Sequence, residues 1–357
     1  MLNEEHSIEA TLAAMSRQRF SGSLEFLIVD GGSTDRSVEI VAEAARRDPR
    51  IRLLRNPRGG TPSGLNVGLA HARGRWVARM DAHTDYPEDY LARGVARLAA
   101  GGTRWVSGLQ RARGTNRVSR AVALALRGPL GRGASRKWVD MGSGEEYELD
   151  SGVFGGVWER ATLIDYGGWD EEWLRNQDSE MAGRFLAAGE ALILVPQMGA
   201  WYVPRGSLRG LWRQYFQYGE YRIKTAGRHP ATLRRSHLLA PGVVAAGVVA
   251  LGPPRMPLRR LARWALVTYG AAVAGAAERA LRTADDPRDA ASVVPVLIAM
   301  HLGHGAGAYV GAARHGIPWA AVTNLLRLRG LTDALSPPPG EVFAPSLWAV
   351  LRPDDAA

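Results

Sequence analysis

The chain has 357 residues, a formal charge of +10 at pH 7 and no cysteine, which excludes disulfides and thiolate metal sites. Its length suits one large α/β domain with an additional module. Lys137 and Lys224 are its only lysines; the arginine excess suits an anionic membrane surface or phosphorylated substrates, and with no helix-turn-helix, zinc-finger or aromatic RNA-binding signature, nucleic acid is not an expected partner.

Helix and strand patterns alternate as far as Gly227. Ser7 is placed to cap a helix whose apolar face is Ile8, Leu12 and Met15, at i, i+4, i+7 spacing. Leu24–Val29 reads as a buried strand, Ser33–Arg47 as a helix, and Ile51–Leu54 as a short strand before a Gly/Pro-rich loop. Trp76–Met80, Trp105–Leu109 and Ala191–Val195 complete the strand candidates. Strands separated by helices imply right-handed crossovers and a mostly parallel sheet. No signal peptide precedes the first motif.

Composition shifts beyond Arg228. Leu238–Leu251, Trp264–Ala277 and Ala291–Val310 are apolar runs rich in Ala, Val and Gly. The first two fall short of the ~20 residues a spanning helix needs, and the third contains Pro295, His301 and His304. Arg234 and Arg235 precede the first run, while Arg255, Arg259, Arg260 and Arg263 follow it. Positive charge on both sides favours a re-entrant hairpin, followed by two crossings; packing helices of a soluble core are the other reading. The expected division is therefore a catalytic domain over 1–227, an apolar helical membrane-associated region over 228–311 and a cytosolic tail over 312–357.

Four stretches carry candidate chemistry. Asn3-Glu4-Glu5 opens the chain. Asp30-Gly31-Gly32-Ser33-Thr34-Asp35 follows a buried strand, where a strand-tip carboxylate accepts hydrogen bonds from a base or ribose; the same residues equally form a turn with two helix caps. Asp81 and His83 lie just past the strand Trp76–Met80, where ligands bind in an open α/β sheet. An oxygen and a nitrogen ligand at i, i+2 hold a divalent cation and leave positions for a diphosphate. Finally, Asn176 is placed to cap the helix Gln177–Ala188, with Asp178 in its first turn, where the dipole favours an ionised carboxylate suited to general-base work. An ordinary first-turn aspartate is the alternative.

In this order the four signals resemble the family 2 glycosyltransferases of GT-A fold, closest to the membrane-associated group of succinoglycan-biosynthesis glucosyltransferases. The resemblance covers residues 1 to about 225. It rests on Asp81-Ala82-His83-Thr84-Asp85-Tyr86-Pro87, Asn176-Gln177-Asp178-Ser179-Glu180, Arg213-Gln214-Tyr215-Phe216-Gln217-Tyr218-Gly219-Glu220-Tyr221-Arg222 and, less specifically, His304-Gly305-Ala306-Gly307. The resemblance implies a Rossmann-like α/β fold with a mostly parallel mixed sheet flanked by helices. It further implies that Glu4 and Asp30 contact the nucleoside of a nucleotide sugar, most naturally a UDP-sugar. Asp81 and His83 would bind Mg²⁺ or Mn²⁺ across the diphosphate. Asp178 would deprotonate the acceptor, giving inversion. The stretch Gln214–Arg222 would close over the donor, with Arg213 or Arg222 on the leaving diphosphate.

The implied acceptor is a lipid-linked saccharide on a polyprenyl diphosphate, used in exopolysaccharide or cell-envelope glycan assembly at the cytoplasmic face of the membrane. His83 replaces the commoner second aspartate, which tilts the metal toward Mn²⁺, and Gln177 replaces a frequent glutamate. In the family the Asn-Glu-Glu motif follows a first β-strand, for which Met1-Leu2 leaves no room; a translation start placed too late is the expected explanation, and a domain that has lost this strand is the alternative. A nucleotidyltransferase is disfavoured because no Gly-rich phosphate loop opens the chain. An inactive scaffold that retains nucleotide-sugar binding is opposed by the presence of Asp81, His83 and Asp178.

Overall fold

The computed structural model describes residues 1–337 except 83, 139–141, 143, 154, 254 and 255. In chain order the first helices and strands are α1 (Ile8–Ser16), β1 (Phe26–Asp30), α2 (Ser37–Arg47), β2 (Ile51–Arg55), α3 (Thr61–His71), β3 (Trp76–Arg79), β4 (Thr84–Asp85), α4 (Tyr90–Ala99) and β5 (Trp105–Ala112). Next come α5 (Arg117–Arg127), α6 (Pro129–Arg132), β6 (Tyr147–Leu149), β7 (Gly156–Glu159), α7 (Arg160–Asp165), α8 (Gln177–Ala187) and β8 (Leu192–Tyr202). Helices α9 (Leu208–Arg228), α10 (Leu239–Leu251), α11 (Arg259–Leu281), α12 (Pro287–Ala291), α13 (Val293–His315), α14 (Trp319–Leu325) and α15 (Arg329–Leu335) complete the chain.

The described residues gather into two compact units, each assembled from separate stretches: those of 1–111 with those of 140–202 and Pro337, and those of 112–139 with those of 203–336. Helices α5, α6 and α9 thus pack with the C-terminal helices, although they start before residue 227 in sequence.

The first unit is a mixed sheet flanked by helices. Strands β1 and β2 pair in parallel, with Phe26 opposite Ile51. A six-stranded sheet runs β3-β7-β5-β8-β4, with β6 on β8. Its pairs β3–β7, β4–β8, β5–β7 and β6–β8 are antiparallel, so this sheet carries more antiparallel pairing than helix-spaced strands imply. The strands responsible are the short ones, β4, β6 and β7. They lack an apolar run long enough to stand out, and β7 starts inside the glycine-rich stretch Gly152–Gly156. One core cluster gathers Trp105, Trp158, Trp169, Phe185 and Met181 between the larger sheet and its helices. A second packs Ile8, Leu12, Phe26, Ile28, Val41 and Ile51 around the β1–β2 pair. Trp158, Trp169 and Trp173 are therefore core side chains.

Three expected helix starts differ in detail. Ser7 precedes α1 but makes no capping bond, because its hydroxyl donates to the Glu4 carboxylate instead. Helix α2 begins at Ser37 rather than Ser33, because Ser33 and Thr34 are engaged with Asn3. Asn176 precedes α8 in the left-handed region, φ 58°, and does not cap it; asparagine tolerates that conformation better than most residues.

The second unit is helical. Glycines 303, 307 and 311 present one face of α13 to α9, and a Cβ at Gly307 would lie within 2.0 Å of the Phe216 carbonyl oxygen (at 1.9 Å). Only side-chain-free positions allow two helices this close. Pro295 lies in the first turn of α13, where its missing N–H costs no helical bond. His301 is satisfied on both ring nitrogens, by Tyr269 Oη at 2.9 Å and the Leu130 carbonyl at 3.0 Å. Arg120 pairs with buried Asp289 at 2.6 Å, tying α5 to α12. The segment Pro287–His315 is long and apolar enough to cross a membrane, with half of its apolar window buried against the protein. Among the described residues no other helix meets that test; α10 is apolar but short.

Candidate active site

The first two sequence signals form one structure. Met1 runs beside β1, its amino group donating to the Val29 carbonyl and its own carbonyl accepting from Gly31 N. This lays Asn3-Glu4-Glu5 against the loop after β1. Asn3 N donates to Ser33 Oγ at 3.0 Å, Thr34 N donates to Asn3 Oδ1 at 2.8 Å, Glu4 N donates to Ser37 Oγ at 2.7 Å, and Glu5 N donates to Asp35 Oδ2 at 3.1 Å. Asp30 is buried, and its carboxylate accepts from Gly32 N at 3.0 Å and Ser33 N at 3.2 Å. Gly32, at φ 93°, supplies the turn that makes these bonds reachable. Asp30 and Glu4 are thus fixed near one another around a backbone loop rich in N–H donors.

The remaining signals of this unit meet at Arg79. Strand β3 was expected to be buried for its apolar residues, yet among its four residues only Arg79 is buried. Arg79 and Asp81 project to the same side, two positions apart along an extended segment. Arg79 Nε donates to Asp81 Oδ1 at 2.7 Å and Nη2 donates to Oδ2 at 3.0 Å. The outer nitrogen, Nη1, donates to Asp178 Oδ1 at 2.5 Å. Burial opposes the charge on Arg79, but the carboxylates of Asp178 and Asp81 outweigh it and raise its pKa above the ordinary value. The Asp81 backbone N–H donates to the Tyr86 hydroxyl at 2.8 Å. Burial, reinforced by Asp81, pushes the Tyr86 phenol well up, so it stays a neutral acceptor. Tyr90 packs edge-on against Tyr86, 4.9 Å between centroids.

Asp178 reaches this point because three contacts fix the chain ahead of and within α8. Asn66 of α3 donates to the Trp169 carbonyl at 2.8 Å and accepts from Trp169 N at 2.9 Å. Arg184, almost wholly buried, donates to the Gly168 carbonyl at 2.8 Å and to Glu180 Oε2 at 2.8 Å. Gly152 presses on the first turn of α8, where a Cβ would meet the Asp178 carbonyl oxygen at 2.0 Å.

His83 lies outside the described residues, as does the tail from residue 338. Arg213, Gln214 and Arg222 belong to α9 in the second unit. There Arg213 is exposed, Gln214 Nε2 donates to Tyr218 Oη at 3.1 Å, and burial with the nearby Arg234 pulls the Arg222 guanidinium down to about 10. Glu146 pairs with Arg97 at 2.5 Å. Among the described residues no group of three or more His, Asp or Glu side chains gathers. A protein cage for a cation is therefore not what the described part of this site offers. Asp81, partly exposed, supplies one carboxylate whose oxygens each keep a lone pair beyond the Arg79 bond. That donor set fits Mg²⁺ or Mn²⁺ carried in with diphosphate oxygens and water.

Sequence reasoning missed Arg79, Tyr86 and Asn66. The signal for Arg79 was present: a basic residue inside an apolar strand implies a buried acidic partner. Nothing in the chain marked which carboxylates those were.

Residues 1–144 match the family described as glycosyl transferase family 2. Succinoglycan biosynthesis protein ExoA of Rhizobium meliloti (strain 1021) is 30% identical over 280 residues, which cover 75% of this chain and 82% of that protein. The chain belongs to glycosyl transferase family 2. The uncharacterized glycosyltransferase EpsJ of Bacillus subtilis (strain 168) is 36% identical over 92 residues, 26% of this chain and 25% of that one. Among solved structures, a mannosyltransferase of Pyrobaculum calidifontis in complex with GDP-Man and Mn²⁺ aligns with a TM-score of 0.48 at 20% identity, covering 91% of this chain and 85% of that one.

Proposed function

We propose that this chain transfers a sugar from a nucleotide sugar, a UDP-sugar, to a lipid-linked saccharide with inversion at the anomeric carbon, in exopolysaccharide or cell-envelope glycan assembly. The observation that carries the reading is the meeting of Asp81 and Asp178 on one buried guanidinium, from segments 97 positions apart, in a family 2 glycosyltransferase. It supports a reading in which a donor-side carboxylate and a base serve one reacting sugar.

In this reading Glu4 and Asp30 hold the nucleoside side of the donor, and Asp81 with His83 holds Mg²⁺ or Mn²⁺. Such a cation, when bound, supplies positive charge against the diphosphate. Asp178 accepts the proton of the acceptor hydroxyl as its oxygen attacks the anomeric carbon from the face opposite the diphosphate. The new C–O bond forms as the glycosyl–phosphate bond breaks, and the electron pair leaves with the nucleoside diphosphate. The family resemblance further assigns Arg213, Gln214 and Arg222 to the donor, with the arginines offsetting charge on the departing group. The apolar segment Pro287–His315 and the arginine-rich approaches to α10 and α11 support a position at the cytoplasmic membrane face, near a lipid-borne acceptor.

The test is incubation of membranes containing the protein with labelled UDP-sugars and Mn²⁺. Label in the lipid extract is expected, and Asp178→Asn should abolish transfer while leaving donor affinity within about threefold. Release of inorganic pyrophosphate would make the chain a nucleotidyltransferase. Equal loss of binding and turnover in the variant would remove Asp178 from the base role.

A further inference from the structure

Arg79 does something that neither carboxylate does alone. Its fork faces both oxygens of Asp81 while its remaining edge holds one oxygen of Asp178. A guanidinium is planar and rigid, so the group between two carboxylates bound on its two edges limits how far apart they can stand. The surroundings leave Arg79 no other position: its side chain is 5% exposed, and Tyr86 anchors the backbone of Asp81 next to it. An arginine is costly to bury unless it is fully paired, which makes a purely packing role for it uneconomical when apolar residues fill the rest of such strands.

We propose that Arg79 is a positioning residue that couples Asp81 to Asp178, so that the donor-side carboxylate and the base keep one fixed geometry through the sugar transfer. The inference rests on the roles assigned above to Asp81 and Asp178. The base then stands at the same distance from the anomeric carbon whichever acceptor arrives. Lysine cannot replace this function, because a single ammonium on a flexible stem does not hold two carboxylates in a defined plane.

The test uses the full chain carrying Arg79→Lys, with UDP plus Mn²⁺ as the binding probe and sugar transfer as the kinetic readout. The expected result is a melting temperature within a few degrees of wild type, a UDP affinity within about threefold, and kcat lowered about 100-fold. Two results overturn the proposal. One is a folded variant with kcat within about threefold of wild type; the other is a loss of UDP affinity as large as the loss of kcat, which would make Arg79 a donor-binding group.

A second measurement needs no turnover and covers the case in which Arg79→Lys does not fold. Thermal unfolding of Asp81→Asn, Asp178→Asn and the double variant forms a cycle. Coupling through Arg79 predicts that the double variant departs from the sum of the single effects, and additivity refutes it. Absence of sugar transfer by the wild-type protein would sink the proposed function, but it leaves the result of this cycle standing.

Discussion

Gly152→Ala offers a severe test of the site geometry. The added Cβ would lie 2.0 Å from the Asp178 carbonyl oxygen and 2.5 Å from its carbonyl carbon, whereas real Cβ atoms essentially never come within 3.0 Å of such neighbours. The neighbour is backbone, not the far end of a side chain that swings aside. A close-packed interior has no void to take up the excess, so the first turn of α8 must retreat by about 1 Å. Overpacking of this kind costs about 1–3 kcal/mol, a loss the fold survives. The consequence for catalysis is larger, since a 1 Å misplacement of a reacting group costs about 100-fold in rate. Kinetics of sugar transfer on membranes, with calorimetric melting of the purified protein, should therefore show kcat down about 100-fold, melting lowered by several degrees and donor affinity within about threefold. A useful control is Gly227→Ala, where a Cβ meets nothing within 4 Å; activity there should be unchanged. A folded Gly152→Ala protein with kcat within about threefold of wild type would refute the argument that the backbone of α8 sets the position of Asp178.

Two further outcomes concern stability. Arg184→Met strips the fully buried Glu180 of its Arg184 partner and releases the Gly168 carbonyl; an expected loss of about 3–5 kcal/mol is checked by urea unfolding, and a loss below about 1 kcal/mol would contradict it. Burial works against the charge on Asp35, but the Ser37 hydroxyl and the backbone N–H groups of Ser37 and Glu5 outweigh it and hold the carboxyl below its ordinary value. A carboxyl with a depressed folded pKa contributes stability above the unfolded value, lost as the pH falls through the folded one. Melting temperature should thus decline below about pH 4, and Asp35→Asn should flatten that decline; an identical acid profile in the variant would contradict the assignment.

Much of the fold was legible because it rests on local pattern. Apolar runs located β1, β2, β3, β5 and the start of β8 to within a few residues, since a strand buried on a sheet has to be built of such residues. Family membership was legible too, carried by Asn3-Glu4-Glu5, the Asp30–Asp35 loop, Asp81 and the segment around Asp178. Short strands were not: β6 and β7 exist through their partners, β8 and β3, and carry no period of their own. The start of α2 was misplaced because Ser33 found a distant partner in Asn3, whereas Ser7 marked the start of α1 correctly but bonded Glu4 instead of capping.

By itself, then, the amino-acid order determined which residues could carry charge into a strand-end crevice and which stretches had to be helix or sheet. It took the folded chain to reveal that the buried member of β3 is Arg79, and that its guanidinium joins Asp81 to Asp178 across 97 positions of chain. The physical reason is that charge pairing in a low-dielectric interior depends on distance in space, to which spacing along the chain gives no guide.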